Sequence, residues 1–182
     1  MMHRSMTRKE KIWILRNYGN CSGCRRCEIA CSVKHEGKIW PEASGIRVFM
    51  LVPGVEIPHL CFQCEDYACV KACPMQALSV NDRTGAVNVD VSRCTACGLC
   101  VKACPGSVPH IHPEGNRVVI CDLCDGKPRC VEVCQEGKWN ALTTIPIAKV
   151  SSRKALAKDP KKLTIEVAEE ILGAEIAREV MG

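Results

Sequence analysis

The sequence predicts an α+β fold. Short strands and one-turn helices are expected to gather around clustered cysteines, with a helix at the C-terminus. Three observations predict it. Cysteine accounts for 16 of 182 residues, far above globular usage. Aromatic residues make up only 4%, so the usual large core side chains are scarce. Every cysteine falls into one of four groups of four, and short β-branched runs and turn signals separate the groups.

Taken in order, KIWIL at 11–15 reads as a strand. The first quartet follows: Cys21, Cys24, Cys27 and Cys31 in CSGCRRCEIAC. GIRVFMLV at 45–52 is the next strand signal. The second quartet is Cys61, Cys64, Cys69 and Cys73 in CFQCEDYACVKACP. NDRTGAVNVDV then gives a turn at Asp82–Gly85 and an alternating strand at Ala86–Val91. The third quartet is Cys94, Cys97, Cys100 and Cys104 in CTACGLCVKACP. HPEGNR is a turn and RVVI a strand, leading to the fourth quartet. That quartet is Cys121, Cys124, Cys130 and Cys134 in CDLCDGKPRCVEVC. After Ile147 the cysteines stop. AKVSSRKALAKDPKK reads as a basic linker or loose arm, with a helix entry at Asp159-Pro160. LTIEVAEEILGAEIAREVMG has helical periodicity, with Ile165, Ala168, Leu172, Ile176 and Val180 on one face. That face packs on its own domain or grips a partner; periodicity alone does not choose between them.

Each quartet begins C-x-x-C and ends C-x-x-x-C, and only the gap between these halves varies. This is an internal repeat with insertions at one point. The third quartet matches the bacterial ferredoxin run C-x-x-C-x-x-C-x-x-x-C-P in full, and the first matches except for Ser32 in place of proline. The C-x-x-C loop aims two thiolates at one cluster face, and its backbone N–H groups offset cluster charge. Gly23 and Gly98 let the backbone approach. Zinc sites instead join two C-x-x-C knuckles across a spacer of about 12–20 residues. A disulfide scaffold needs a secreted chain. The apolar run Ile12–Leu15 is too short for a secretory core, and no stretch approaches a membrane-spanning length. The expected setting is therefore cytoplasmic and reducing, and the expected cofactors are four [4Fe–4S] clusters.

Third and fourth cysteines at i and i+4 share one face of a helical turn, which proline then ends. In two-cluster ferredoxins the fourth cysteine of one motif ligates the other motif's cluster. The hexapeptide CVKACP occurs at 69–74 and again at 100–105, which pairs the second and third quartets. The first and fourth share Ser32 and Gln135 at the proline position and a following Glu-Gly-Lys. The expected ligand sets are Cys21, Cys24, Cys27 with Cys134; Cys61, Cys64, Cys69 with Cys104; Cys94, Cys97, Cys100 with Cys73; and Cys121, Cys124, Cys130 with Cys31. Val70, Ala72, Val101 and Ala103 should pack the inner space, and Ile29, Ala30, Val131 and Val133 the outer. The fold is then ferredoxin-like, with two pseudo-symmetric two-cluster units. Residues 1–148 form the four-cluster domain, with the inner unit at about 57–106 and the outer unit from 12–52 and 116–148. Residues 149–182 form the linker and amphipathic tail.

The formal charge of +5 could suggest nucleic acid. Each ligated cluster, however, adds about −2, which moves the total to about −3. Arg25, Arg26, Lys71, Arg93 and Lys102 then read as cations placed around buried negative charge. No nucleic-acid partner and no membrane span are expected. There is no P-loop, dinucleotide fingerprint or catalytic triad, and His110-Ile111-His112 reads as surface decoration in a turn.

On the four quartets and the fourth-quartet sequence CDLCDGKPRCVEVC, residues 12–147 resemble the four-cluster iron–sulfur subunits of molybdenum and tungsten pterin oxidoreductases. The S-G-C-R-R-C opening and the helical tail look most like small subunits of the tungsten aldehyde oxidoreductase family. That family includes the class II benzoyl-coenzyme A reductase. The resemblance implies a non-catalytic subunit that relays single electrons between a tungsten or molybdenum pterin large subunit and further redox subunits or a ferredoxin. The alternative complexes are of formate dehydrogenase, hydrogenase or dimethyl sulfoxide reductase type. A zinc-stabilised interaction protein is the remote alternative.

Overall fold

The computed structural model describes residues 11–181; the basic segment 1–10 and Gly182 lie outside it. The strands are β1 (Ile12–Arg16), β2 (Ile46–Val52), β3 (Val55–Leu60), β4 (Leu78–Val80), β5 (Val87–Val89), β6 (His110–Ile111), β7 (Val118–Val119) and β8 (Leu142–Pro146). The helices are α1 (Arg26–Glu36), α2 (Ala68–Lys71), α3 (Leu99–Ala103), α4 (Arg129–Glu136), α5 (Arg153–Leu156), α6 (Pro160–Leu172) and α7 (Ala174–Met181). The strands form four separate antiparallel ribbons of two strands each: β1–β8, β2–β3, β4–β5 and β6–β7.

These ribbons position the cysteines. β1 precedes the first quartet and β8 follows the fourth, and they pair from Ile12↔Pro146 to Arg16↔Leu142. That pairing brings α1 and α4 against each other. Ile14, Leu142, Val131 and Leu123 share one apolar cluster there with Cys27, Cys31, Cys130 and Cys134. The inner helices α2 and α3 likewise pack together. Around them Leu78, Val87, Val118 and Ile120 meet Cys69, Cys73, Cys94 and Cys100.

The helices differ in length for a local reason. α2 and α3 are single turns of four and five residues, and proline follows each fourth cysteine at Pro74 and Pro105. One-turn helices were also expected in the outer quartets, but α1 runs for 11 residues and α4 for eight. With Ser32 and Gln135 in place of proline, nothing stops either helix at its last cysteine. Ile29, two residues from both Cys27 and Cys31, falls on the opposite face of α1, so it is exposed rather than packed in the intercluster space.

The tail departs from the expected linker and single helix. Glu65 accepts bonds from the backbone N–H groups of Arg153 (2.6 Å) and Lys154 (3.0 Å), which pins α5. Asp159 caps α6 by accepting from Lys162 N at 3.1 Å, and Pro160 takes the first helical position. α6 lies on the β2–β3 ribbon through Leu163, Thr164, Val167 and Ala168. Gly173, at φ 85°, breaks the helix before α7. The break changes the helical phase, so Ile176 and Val180 are exposed and do not continue the buried stripe. No described helix is long and apolar enough to cross a membrane.

Candidate metal centres

Each quartet builds the same turn. The residue before the second cysteine is left-handed in all four: Gly23 (φ 67°), Gln63 (51°), Ala96 (53°) and Leu123 (58°). Three of these are not glycine, and that conformation costs about 1–2 kcal/mol for a residue with a Cβ. Strain of this kind is found where geometry serves a site. The turn folds back so that the first and second cysteines face the same cavity. A second left-handed residue, Arg25, Tyr67 or Gly98, then starts the helix that carries the third cysteine of the first three quartets; the fourth lies within α1 in the first and just past the helix end in the second and third.

Four cavities result. Cys21, Cys24, Cys27 and Cys134 line one, beside Val48, Trp139 and Leu142. Cys61, Cys64, Cys69 and Cys104 line a second, under Phe62, Val108 and Ala157. Cys94, Cys97, Cys100 and Cys73 line a third, against Met75, Leu78 and Val118. Cys121, Cys124, Cys130 and Cys31 line a fourth, beside His35 and Leu123. Three cysteines in each come from one quartet and the fourth comes from another.

The surroundings fit thiolate-ligated iron. Backbone N–H groups point at sulfur: Gly45 to Cys31 Sγ (3.3 Å), Gln63 to Cys61 Sγ (3.4 Å) and Ala77 to Cys73 Sγ (3.3 Å). At Gly45 a Cβ would stand 3.2 Å from the Cys121 Cα, so glycine leaves room for this close backbone approach. Burial pushes the Cys27 and Cys61 thiols up to about 12 and those of Cys64 and Cys69 to about 11. The Cys121 and Cys130 thiols are also pushed well up by burial. Such thiols do not ionise by themselves at neutral pH. A cation shared among four of them supplies the missing stabilisation, and the iron of a [4Fe–4S] core is such a cation.

Cys31 differs. Burial opposes its ionisation, but hydrogen bonds from His35 and Ser44 outweigh that and hold it below the usual thiol value. His35 Nε2 lies 3.6 Å from Cys124 Sγ and 3.4 Å from Asp122 Oδ1. Those thiol contacts, Cys124 first, raise the His35 pKa to about 10. The sequence reading missed His35; its place one helical turn after Cys31 was the available signal.

The cations singled out from the sequence are not buried among the cysteines. Arg25 and Arg26 are about half exposed and face Glu28 (3.6 Å) and Glu136 (3.7 Å). Lys71, Arg93 and Lys102 are exposed. The pair His110 and His112 is not surface decoration either. His112 is buried beside Trp40, with Glu36 Oε2 3.5 Å from its Nε2. Arg117 completes that contact by donating to Glu36 at 2.6 Å, which ties α1 to the end of β7.

Comparison with known proteins agrees with this chemistry. The 4Fe–4S dicluster domain family matches residues 54–105, and the 4Fe–4S binding domain family matches 18–34 and 122–137. The polyferredoxin-like subunit of aliphatic sulfonate oxidoreductase from Pyrococcus furiosus is 51% identical over 92% of this chain and 96% of its own length. An iron–sulfur protein of Rhodospirillum rubrum is 32% identical over 85% of this chain and 93% of its own. The iron–sulfur subunit of formate dehydrogenase-O from Escherichia coli is 27% identical over 71% of this chain, which spans 52% of it. Among solved structures, the active site complex BamBC of benzoyl coenzyme A reductase with benzoyl-CoA aligns at 20% identity and TM-score 0.43. The alignment covers 92% of this chain and 96% of that one, a likeness too loose for functional inference.

Proposed function

The chain belongs to the family of 4Fe–4S electron-transfer subunits that includes the polyferredoxin-like relative, and from that premise we propose that it carries four [4Fe–4S] clusters as a linear relay. It is an electron-transfer subunit of an oxidoreductase, not the catalytic one. The observation that carries the four-cluster reading is the lining of the cavities: four cavities, each with four cysteines. The proposed ligand sets are Cys21, Cys24, Cys27, Cys134; Cys121, Cys124, Cys130, Cys31; Cys61, Cys64, Cys69, Cys104; and Cys94, Cys97, Cys100, Cys73.

A bound [4Fe–4S] cluster supplies one-electron exchange. The protein supplies order and dryness. Cys27 neighbours Cys130, and Cys121 neighbours Cys61, which sets the first three cavities in sequence. Cys61, Cys69, Cys73, Cys94 and Cys100 pack in one apolar cluster, which joins the last. Val87 and Ile120 line both the Cys121 and the Cys61 cavities and form an apolar wall between them. Cys24 and Cys97, in the two end sets, are the exposed cysteines. Electrons therefore enter at one end set and leave at the other.

The proposed partner is a tungsten or molybdenum pterin large subunit. Identity along nearly the whole length of the polyferredoxin-like relative supports a complex like the one that relative belongs to over a formate dehydrogenase, whose subunit this chain half spans. The test is anoxic purification of the native complex, with iron and sulfide counted and the large subunit and its metal identified. About sixteen iron atoms per chain and a pterin-bound tungsten or molybdenum are expected. Bound zinc, or about eight iron atoms, overturns the four-cluster reading.

A further inference from the structure

Among the described residues the buried arginine is Arg16, the last residue of β1, with 8% of its surface exposed. Its Nη1 donates to the carbonyl of Ile14 at 3.1 Å. Its Nη2 donates to those of Leu60 and Cys61, both at 2.9 Å. The guanidinium carbon sits 4.2 Å from the centre of the Phe62 ring and 5.1 Å from that of Trp13. Trp13 Nε1 donates to the Phe62 carbonyl at 3.0 Å and closes this cage. The Arg16 Nε has no partner. The ionisable groups that act most strongly on it are Tyr18, Cys61, Cys121 and Cys130, none of them a carboxylate, and the buried His59 also lies within its field.

An arginine cannot shed its proton, and a buried charge without a counter-charge is strongly disfavoured. Three carbonyls and two ring faces orient the guanidinium but do not neutralise it. Cys61 belongs to one cavity, and Cys121 and Cys130 to the next. A cluster with four thiolates there carries about −2. We propose that Arg16 is the fixed counter-charge shared by the clusters of the Cys61 and Cys121 sets, a positioning residue that raises both reduction potentials where the outer unit meets the inner. The proposal rests on the four-cluster reading. It makes the midpoint of the relay more readily reduced than the same cysteines would alone.

A unit charge acting over about 10 Å at an effective dielectric constant of about 20 changes a one-electron equilibrium about tenfold. Tenfold corresponds to about 59 mV. The test uses the native complex as wild type, Arg16→Gln and Arg16→Lys, with iron counts and a potentiometric titration followed by electron paramagnetic resonance. In Arg16→Gln, two of the four midpoint potentials should fall by about that amount while the other two stay. Arg16→Lys, which keeps the charge without the guanidinium fork, should hold all four near wild type. Failure of the glutamine variant alone to assemble clusters also supports a need for charge. Unchanged potentials in a fully loaded Arg16→Gln overturn the proposal. Equal damage in the glutamine and lysine variants overturns it too, because the role is then a backbone clamp. A wild-type count far below sixteen overturns the four-cluster reading itself.

Discussion

Replacing Ser32 by proline would write the inner quartets' stop signal into an outer one. In the native chain α1 runs five residues past Cys31 to Glu36, which takes the 2.6 Å bond from Arg117. Ser32 has no exposed surface; its Oγ donates to the Ile29 carbonyl at 3.0 Å and accepts from Trp40 N at 3.1 Å. Ser32→Pro removes a helical N–H and sets the ring against the carbonyl one turn back, which costs about 3 kcal/mol. It also leaves the Trp40 N–H without its acceptor, costing about 1–3 kcal/mol more. The sum, about 4–6 kcal/mol, is a large part of the roughly 5–15 kcal/mol that holds a domain folded. Ser32→Ala suffers only the second loss. Cluster release makes unfolding irreversible, so the measurement is the rate of iron loss from the anoxic protein in denaturant. The extra 3 kcal/mol predicts release about a hundredfold faster for the proline variant than for the alanine variant. Equal rates for the two would refute the idea that continuation of α1 past Cys31 holds the outer unit together.

Three other outcomes follow from the geometry. Cys24→Ala and Cys134→Ala should each lower the iron count by about four, and the double variant by about four rather than eight, because both cysteines line one cavity; a loss of eight separates them. Burial, helped by Arg47 and with His112 also nearby, holds the His110 pKa below its ordinary value while Nε2 bonds the Glu42 carbonyl at 3.1 Å. The unfolded chain therefore binds the extra proton first, so this stabilisation is complete above about pH 6.5 and is lost as pH falls below it. His110→Gln should flatten that part of the stability profile, and an unchanged profile removes His110 as its cause. Val167→Asp, which buries a carboxylate between α6 and β3, should free the tail for proteolysis near 150–162, whereas Ile176→Ser on the exposed face should change stability by less than about 0.5 kcal/mol; the reverse result would put the docking face on α7.

The cysteine framework was the most legible part of the chain because spacing is a one-dimensional record of loop geometry. The same holds for β1, β2 and β7, whose β-branched runs are continuous in sequence. β3 was not seen because Pro58 interrupts its run, and proline is tolerated there because a two-stranded ribbon leaves each strand a free edge. β8 was missed in LTTIP because its register comes from β1, over a hundred residues earlier. Arg16 was illegible for a related reason. Arg16 stands in an unremarkable strand, and its meaning comes from Leu60, Cys61 and Phe62, which only the fold brings to it. Arg25 and Arg26 are adjacent to cysteines in sequence, yet they face carboxylates, the buried Glu28 and the exposed Glu136.

What joins the pieces is a matter of physical scale. A lone two-stranded ribbon is marginal in water, and the described strands form four such ribbons with no larger sheet. The apolar clusters that connect them contain the cysteines themselves. Cys27, Cys31, Cys130 and Cys134 sit among Ile14, Val131 and Leu142, and Cys100 sits among Leu78, Val87 and Val118. Burial that raises the Cys27 and Cys61 thiols to about 12 keeps them neutral in a metal-free fold. Neutral thiols around a cavity contribute packing but no cross-link. Ligated thiolates would contribute both, and each proposed set draws on two distant stretches of chain, such as 21–27 and 134. On the proposed ligation, folding and cluster binding are one equilibrium. The tail depends on the cysteines least, since α6 meets the β2–β3 ribbon through Leu163, Val167 and Ala168 with no cysteine on the helix itself, and Cys61, Cys64 and Cys104 are only partly buried against that apolar cluster. By that difference in packing, iron removal should loosen the quartets first and leave the contact between α6 and its ribbon as the last ordered part.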